Sequence, residues 1–293
     1  MSKNPFHAGE REAQQRVGVS IEQAPIHKGM SDQQRKFFTS VSFVAMAGMT
    51  KGGSLIATIS TGPAGFIACP DPQTLHLCNV PKNNDPFSKM LVTGSAIGML
   101  GMDFFTRQRC RANGHIAIVN NSGFGVSLLQ CFGNCPKHIT PRAFSSTPET
   151  LSEQTHYQRL ASPDLEACQL IRNADTFFVA SSSGPDAIEN GGVDISHRGG
   201  PVGFVQTEGL RLTVPDFPGN RYFNTLGNFV RHPKAAMLFI DFATGDLLHL
   251  SDRVTINWNP YSLSSAERSW QMDMEEGWWL RHAVRTKWDR THI

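Results

Sequence analysis

The sequence repeats itself at a fixed spacing. The segment GPAGF at 62–66 returns as GPVGF at 200–204, and MLGMDF at 99–104 returns as MLFIDF at 237–242. Both pairs are separated by the same offset of 138 residues. Matches at one offset over this distance indicate two copies of one structural unit. The chain is therefore predicted to consist of two related domains.

A third match and the composition of the middle of the chain define the two copies. FVA at 43–45 matches FVA at 178–180 once a small insertion is allowed, and the stretch 141–162 is polar and rich in Ser, Thr and Pro. Such a composition is typical of a connection between folded units. We therefore predict an N-terminal domain over residues 1–150 and a C-terminal domain over residues 151–293.

Each copy is predicted to be built mainly from β-strands. Short runs of β-branched and aromatic residues are separated by Gly, Pro and Asp turns, which is typical of small barrels rather than of βαβ units. In the second copy these runs cover 177–183, 201–206, 210–214, 235–242 and 247–258. Helices are predicted at 7–18, 30–39, 84–95, 163–175 and 220–232. The predicted fold class is mainly β with peripheral helices, arranged as two small barrels in tandem.

Composition and absent motifs exclude several classes of protein. Lys and Arg total 27 against 25 Asp and Glu, a net charge of +2, so a nucleic-acid surface or an anionic-membrane surface is not indicated. No apolar run approaches the roughly 20 residues that cross a bilayer. The N-terminus is polar and lacks a signal-peptide apolar region, so a cytoplasmic location is expected. The motifs GxSxG, GxxxxGK[ST] and GxGxxG are absent, which argues against a serine hydrolase, a P-loop NTPase and a Rossmann domain.

The cysteines do not predict a disulfide framework or a metal site. Six cysteines are spaced irregularly along the chain. Cys131 and Cys135 form a CxxxC pair with His138 nearby. A structural zinc site usually needs four ligands in paired short spacings, and the sequence has no second pair. No metal is predicted.

The run Ser196-His197-Arg198-Gly199-Gly200 is a candidate anion site. Arginine offers a planar fork of donors that matches phosphate oxygens, and glycines let backbone N–H groups approach an anion closely. The same run is also compatible with a polar strand end that enters a glycine turn. The local sequence leaves both interpretations open.

The segment 215–228 is predicted to form a turn that opens a short helix. Asn220 is the expected N-cap. Asn220, Asn224 and Asn228 are spaced by four residues, and we expect Thr225 to lie on the same side. This polar face is either solvated or presents its amides to a ligand at the helix N-terminus.

The first copy lacks the groups of the candidate anion site. At the offset of 138 residues, the run His197 to Gly199 corresponds to Ile59, Ser60 and Thr61. The second copy is therefore predicted to be the principal ligand-binding unit, with the first as a supporting wall.

Two further polar runs lie in the first copy. Arg107, Arg109 and Arg111 occupy alternate positions of a predicted strand and face one way. They either reach an anionic ligand or form a solvated sheet face, and we favour the solvated face because burial of unpaired arginines is costly. Cys135 and Lys137 follow a Gly-Asn turn. They either present a thiol and an ammonium group to a pocket or form a tight connection with a small buried Cys.

Seven segments together resemble the pyridoxamine 5′-phosphate oxidase-like flavoproteins, the flavin mononucleotide (FMN)-binding split-barrel superfamily, and in particular its two-copy bacterial members. The segments cover 4–19, 60–66, 98–114, 132–139, 191–204, 215–228 and 235–250, nearly the whole chain. The resemblance implies two split β-barrels in tandem, with FMN at an interface between two barrels. The cofactor-binding residues it implies are Ser196, His197, Arg198, Gly199, Asn220, Phe223, Asn224, Thr225 and Asn228.

The resemblance implies a flavin-dependent oxidoreductase. FMN would pass electrons or hydride between a small-molecule substrate and a donor such as NAD(P)H. The alternative is a non-catalytic flavin- or haem-binding carrier. A homodimer is left open, and Trp278, Trp279 and Arg281 of the tail are expected to cover the flavin. The sequence indicates no particular substrate or catalytic residue.

Overall fold

The computed structural model describes residues 4–78, 81, 84–146, 155–186, 188–259, 266–274, 276–284 and 286–290. Within these ranges the chain is mainly β, as predicted, with eighteen strands, four α-helices and one 3₁₀-helix. The helices are α1 (Ala8–Arg16), α2 (Asp32–Ser40), the 3₁₀-helix (Pro86–Met90), α3 (Leu165–Asn173) and α4 (Asn224–Arg231). The strands are β1 (Phe43–Met49), β2 (Leu55–Thr61), β3 (Ile67–Asp71), β4 (Thr74–Leu77), β5 (Ala96–Asp103), β6 (Gln108–Asn120), β7 (Gly123–Gly133), β8 (Arg142–Ser146), β9 (His156–Leu160), β10 (Thr176–Ser182), β11 (Val193–Gly199), β12 (Gln206–Glu208), β13 (Arg211–Asp216), β14 (Lys234–Ile240), β15 (Leu247–Asn257), β16 (Arg268–Asp273), β17 (Glu276–Arg281) and β18 (Thr286–Arg290).

Two antiparallel sheets contain most of the strands, and their strand orders are equivalent. The first sheet has the order β2-β1-β5-β6-β7-β4-β3, and the central path of the second is β11-β10-β14-β15-β16-β13-β12. Strands that occupy equivalent positions in the two sheets also follow one another in the same order along the chain. In addition, β17 pairs with β15, and β9 pairs with β17. The sequence repeat is therefore a repeat of topology, with two split-barrel-like units in tandem.

The GPAGF and GPVGF segments form the same turn in the two copies. Gly65 and Gly203 have left-handed backbone, with φ of 92° and 81°. In each turn the N–H of the phenylalanine donates to the proline carbonyl three residues earlier, at 3.0 Å. The strand predicted over 201–206 is wrong in its first part because this turn occupies it, and β12 begins only at Gln206.

One hydrophobic core lies within each copy and a third lies between the copies. In β1, Val44 packs within the first copy, whereas the adjacent Phe43 packs against the second copy. In β10, Val179 packs within the second copy and Phe178 packs against the first. Both faces of these strands are buried, which explains their nearly continuous apolar sequence.

Four of the five predicted helices are present with shifted ends, whereas the helix predicted over 84–95 is wrong over most of its length. Only the 3₁₀-helix forms there, capped by Asp85, whose side chain accepts the N–H of Phe87. Gly94 follows with a φ of 88°, a left-handed backbone that a continuing helix does not allow. None of the helices in the described ranges is both long and apolar enough to cross a membrane.

The connection between the copies pairs with the C-terminal segment. β8 and β18 run antiparallel, with Arg142 opposite Arg290. Arg142 also forms a buried ion pair with Asp175 at 2.5 Å, which ties the connection to the second copy. The domain boundary predicted at residue 150 lies outside the described residues and stays a prediction.

Candidate functional site

A cleft lies where the end of β11 meets the first copy. The first copy contributes the segment 134–138 and two arginines of β6, and the second contributes β11, the 215–221 turn and the start of α4. The cleft brings together eight of the nine predicted cofactor-binding residues, namely Ser196, His197, Arg198, Gly199, Asn220, Phe223, Asn224 and Thr225. Residues far apart in the sequence thus share one concave surface.

Arg109 joins the two copies in this cleft. Its Nε and Nη2 donate to the carbonyl of Cys135 at 2.9 and 2.6 Å, and its Nη1 donates to Nδ1 of His197 at 2.9 Å. Burial, reinforced by the charge of Arg109, holds the pKa of His197 well below its ordinary value, so this imidazole is neutral. Because Nδ1 accepts, the proton lies on Nε2, a buried nitrogen without a partner among the described residues.

The charge of Arg109 is not neutralised by a carboxylate. Burial, together with the charges of Arg111 and Arg198, lowers the pKa of Arg109 to about 10, which still leaves it cationic at neutral pH. Lys137 is exposed at the edge of the same cleft. Within the part of the chain that the structure describes, neither Arg109 nor Lys137 forms an ion pair with a carboxylate. Both charges are therefore available to an anion.

Arg198 shares its carboxylate with a second arginine. Its Nη1 lies 2.9 Å from Oδ1 of Asp216, and Nε of Arg268 lies 3.5 Å from Oδ2 of the same carboxylate. The Nε of Arg198 is buried and has no hydrogen-bond partner in the described ranges. Arg268 also contacts Glu267, which in turn pairs with Arg221, so three guanidinium groups and two carboxylates leave one net positive charge in this group.

Arg111 is buried, so the interpretation of the arginine run as a solvated sheet face is wrong for this residue. Its side chain lies 2.9 Å from Oδ1 of Asp194, and its Nη2 donates to Oγ of Ser196 at 2.6 Å and to the carbonyl of Ile195 at 3.1 Å. Pairing with Asp194 offsets the cost of burying the guanidinium. Arg109 is half-buried and lines the cleft, so the interpretation is wrong for it as well, whereas Arg107 is exposed in the turn that precedes β6.

The start of α4 has no side-chain cap. Its N-cap is Phe223, in left-handed backbone with a φ of 60°. The predicted cap, Asn220, is wrong, because the exposed Asn220 side chain accepts the N–H of Tyr222 at 3.1 Å in the preceding turn. An uncapped helix start presents free N–H groups and the positive end of the helix dipole. Residues 224–226 line the cleft and therefore offer it an anion-binding surface.

Three residues of the cleft have strained backbone. His138, Arg221 and Phe223 line it with φ of 61°, 61° and 60°. A left-handed residue other than Gly costs on the order of 1–3 kcal/mol, and such residues concentrate at ligand sites. The ring of His138 also stacks on that of Phe217 at 5.1 Å, which connects the two copies.

The cleft is cationic and small. Its walls carry five Lys and Arg residues against two carboxylates, Asp216 and Glu267. Its volume is about 140 Å³, and it is partly open to solvent. Pockets that surround a whole drug-sized ligand have roughly 300–1,000 Å³. The cleft therefore has room to surround an anionic group but not a large ring system.

Asn228 and the predicted tail residues lie away from the cleft, whereas Cys135 and Lys137 lie in it. Asn228 is outside it, where its side chain lies 3.0 Å from Nε2 of His7 and donates to Ser181 at 2.9 Å. The tail residues 278, 279 and 281 do not line it either. Cys135 and Lys137 do line it, which favours a pocket over a merely tight connection.

The strand of the second copy that corresponds to β6 carries neutral side chains where β6 carries the cleft arginines. Through the shared strand register, His249 takes the place of Arg111 and Leu247 that of Arg109, while Ile59 of β2 takes the place of a histidine of β11. Burial lowers the pKa of His249 to about 3, so it is uncharged. The arginines of the cleft are thus present at one of the two equivalent junctions between the copies and replaced at the other.

Sequence reasoning missed the N-terminal helix as part of the site's surroundings. His7 and Glu10 form a capping box at the start of α1. The spacing of a capping box already explains both residues locally, so the sequence gives no sign of the contacts that they also make with the second copy. The described residues contain no group of three or more His, Cys, Asp or Glu arranged to hold a metal ion.

The chain matches no protein-family model, and no curated protein matches it. Among solved structures, a HupZ variant from Group A Streptococcus has 12% identity over 40% of this chain and 98% of its own, with a TM-score of 0.31. A candidate pyridoxamine 5′-phosphate oxidase from Lactobacillus delbrueckii has 15% identity over 36% of this chain and 95% of its own, with a TM-score of 0.28. MrkH from K. pneumonia, in complex with c-di-GMP, has 11% identity over 87% of each chain, with a TM-score of 0.24. TM-scores of this size do not decide fold or function, which rest on the geometry above.

Proposed function

We propose that the cleft binds the phosphate end of FMN and that the protein is an FMN-dependent oxidoreductase of the split-barrel class. The observation that carries the proposal is the cationic excess, with Arg109 and Lys137 unpaired by any carboxylate among the described residues. A phosphate monoester carries about −1.5 to −2 charges at neutral pH. Two free cations and the uncapped start of α4 match that charge.

The donors of the cleft fit such a group. Nε2 of His197 and Nε of Arg198 are buried donors without partners in the described ranges. Leaving a buried donor unsatisfied costs about 1–3 kcal/mol, so a side-chain shift on binding that brings a ligand oxygen to either nitrogen would be stabilising. Gly199 also allows β11 to lie close to the segment 134–138, because a Cβ on this residue would lie 1.9 Å from the carbonyl oxygen of His138.

In this proposal the residues of the cleft divide by role. Arg109, Lys137 and Arg198 neutralise the phosphate, and the first N–H groups of α4 donate to its oxygens. Asn220 and Phe223, which also line the cleft, would contact the rest of the cofactor. Ser196, Asn224 and Thr225 support the wall through the hydrogen bonds that they make within the protein.

The size of the cleft bears on how the cofactor would be used. A volume of about 140 Å³ would take the phosphate end and leave the ring outside the cleft. A small-molecule substrate and a donor such as NAD(P)H would then reach the ring. Bound FMN supplies the hydride and electron chemistry, and the protein supplies binding and orientation.

The test compares FMN with riboflavin, which lacks the phosphate. We expect the purified protein to bind FMN at least about tenfold more tightly, a difference of about 1.4 kcal/mol. Arg198→Ala and Lys137→Ala should reduce this preference and leave riboflavin affinity unchanged. Arg211→Ala is the matched control, because Arg211 pairs with Asp273 on an exposed surface. An equal loss of both affinities in Arg198→Ala and Lys137→Ala would contradict the proposed phosphate site.

A turnover assay separates the enzyme from the carrier. With FMN bound, oxidation of NADH or NADPH in the presence of an acceptor is expected over many cycles. A protein that holds FMN without turnover would be a flavin carrier. A Soret band in the protein as purified would instead favour the haem-binding alternative.

A further inference from the structure

The N-terminal helix α1 crosses to the second copy and packs closely against α4. A Cβ on Gly9 would lie 2.2 Å from the carbonyl oxygen of Gly227, and a Cβ on Gly227 would lie 2.5 Å from Cα of Glu10. Atoms at these distances overlap, so each side chain other than hydrogen would force the helices apart. The two glycines therefore fix how near α1 comes to α4.

Two buried side chains of α1 bind polar side chains of α4. Nε2 of His7 lies 3.0 Å from Oδ1 of Asn228. One carboxyl oxygen of Glu10 accepts from the Nδ2 of Asn224, and the other accepts the N–H of His7 at 2.9 Å. His7 and Glu10 are only 3% and 4% exposed. A buried polar network with its members satisfied favours one arrangement of the elements that carry it.

Asn224 connects this network to the cleft. Its Oδ1 accepts from Nη1 of Arg111 at 3.0 Å, while its Nδ2 donates to Glu10. Arg111 is itself paired with Asp194. The first residue of α4 is therefore held from two sides, by α1 and by β6.

The loop before α4 is held by the same helix. The ring of Phe6 lies 5.3 Å from the ring of Tyr222. Nε2 of Gln14 donates to the carbonyl of Tyr222 at 3.4 Å. α1 thus contacts both the helix start and the residue that precedes its left-handed N-cap.

We propose that Glu10, which does not line the cleft, is a positioning residue for the ligand site. It acts through Asn224 to hold the first turn of α4 where its N–H groups meet the bound anion. The identity of that anion rests on the proposed function. The fixing of α4 by Glu10 rests on the contacts above and is tested without ligand.

The first experiment measures amide hydrogen exchange of the full chain without ligand. Glu10→Ala should raise the exchange rate at residues 227–230, the first hydrogen-bonded amides of α4, by about fivefold or more and leave the amides of β14 unchanged. Glu12→Ala is the matched control, because Glu12 lies on the same helix in an exposed pair with Arg16. Unchanged exchange at residues 227–230 would overturn the proposal.

The second experiment measures affinity for FMN and for riboflavin. Glu10→Ala should weaken FMN binding about tenfold with little effect on riboflavin, and Glu10→Gln, which keeps the shape and one acceptor, should restore most of the loss. If Glu10→Ala does not fold, Glu10→Met fills the same space without an acceptor and replaces it. Equal loss of both ligands, or no loss of FMN affinity, would overturn the positioning role. A wild-type protein that binds no FMN would overturn the proposed function alone, because the exchange experiment still decides whether Glu10 fixes α4.

Discussion

The rings of Phe43 and Phe178 lie 5.5 Å apart in the core between the two copies. The strand register places them two positions apart in the repeat, because β1 begins at Phe43 and β10 begins at Thr176. Phe104 and Phe242, which are equivalent at the offset of 138 residues, lie 5.9 Å apart in the same core. Contact between equivalent residues is what a two-fold symmetric interface produces. The two copies therefore associate within one chain as the subunits of a symmetric dimer would.

Shared burial predicts that the two copies unfold together. Phe178 is fully buried, so Phe178→Ala should lower the free energy of unfolding by about 3–5 kcal/mol. The transition should remain single, because the core between the copies belongs to both. Urea denaturation followed by fluorescence and circular dichroism measures this. The control is Phe105→Ala, whose side chain is 53% exposed and should change stability by no more than about 0.5 kcal/mol. Two separate transitions with only one of them shifted would contradict the prediction.

One FMN per chain is expected at saturation. The place equivalent to the cleft carries Leu247 and the neutral His249 instead of arginines, so these two positions supply no charge to hold a phosphate. The measurement is the FMN released from a known amount of denatured protein, checked by calorimetric titration. A ratio of two would show that the equivalent place also binds the cofactor.

The close approach of the cleft's two walls depends on Gly199. In Gly199→Ala the new Cβ would lie 1.9 Å from the carbonyl oxygen of His138, so the segment 134–138 must move away from β11. We expect FMN affinity to fall at least about tenfold and the protein to be destabilised by about 1–3 kcal/mol. Gly219→Ala is the control in the same cleft, because no atom lies within 4 Å of its Cβ position. Equal behaviour of the two variants would contradict the packing argument.

The repeat and the strand pattern predicted the fold better than the surroundings of single polar residues. A strand such as β14 is apolar at nearly every position, so its type and burial follow from its own sequence. Whether Arg111 is solvated or buried depends on Asp194, which lies far along the chain and reaches it only in the folded protein. The sequence pattern of alternate arginines on a strand is the same whether their side chains are solvated or buried.

The start of α4 shows the same limit at a helix end. The preference for Asn over other residues at an N-cap is worth about 1 kcal/mol. That is too little to place the helix start at Asn220 against the contacts that hold Asn224. The candidate residues were brought together largely as predicted, but the residues that position them could be found only from the packing of α1.

The contacts of α1 also give stability a pH dependence. Burial lowers the pKa of His7 from 6.5 to about 4. Burial raises the pKa of Glu10 from 4.5 to about 8. Both groups are therefore neutral in the folded protein at pH 7. The charged groups that act on the pair are Arg11, Arg231, Arg111 and Asp194.

The two shifts have opposite signs in stability. Below pH 6.5 the unfolded chain protonates His7 while the folded chain does so only near pH 4, so His7 lowers stability as the pH falls through this range. Above pH 4.5 the unfolded chain loses the Glu10 proton while the folded chain keeps it to about pH 8, so Glu10 lowers stability as the pH rises. The two effects oppose each other at first, and between pH 6.5 and 8 only that of Glu10 remains, with a slope of up to about 1.4 kcal/mol per pH unit. Urea denaturation across this range should show the slope in the wild type and in Glu12→Gln, and its loss in Glu10→Gln. Parallel profiles for the wild type and Glu10→Gln would mean that Glu10 is already ionised in the folded chain.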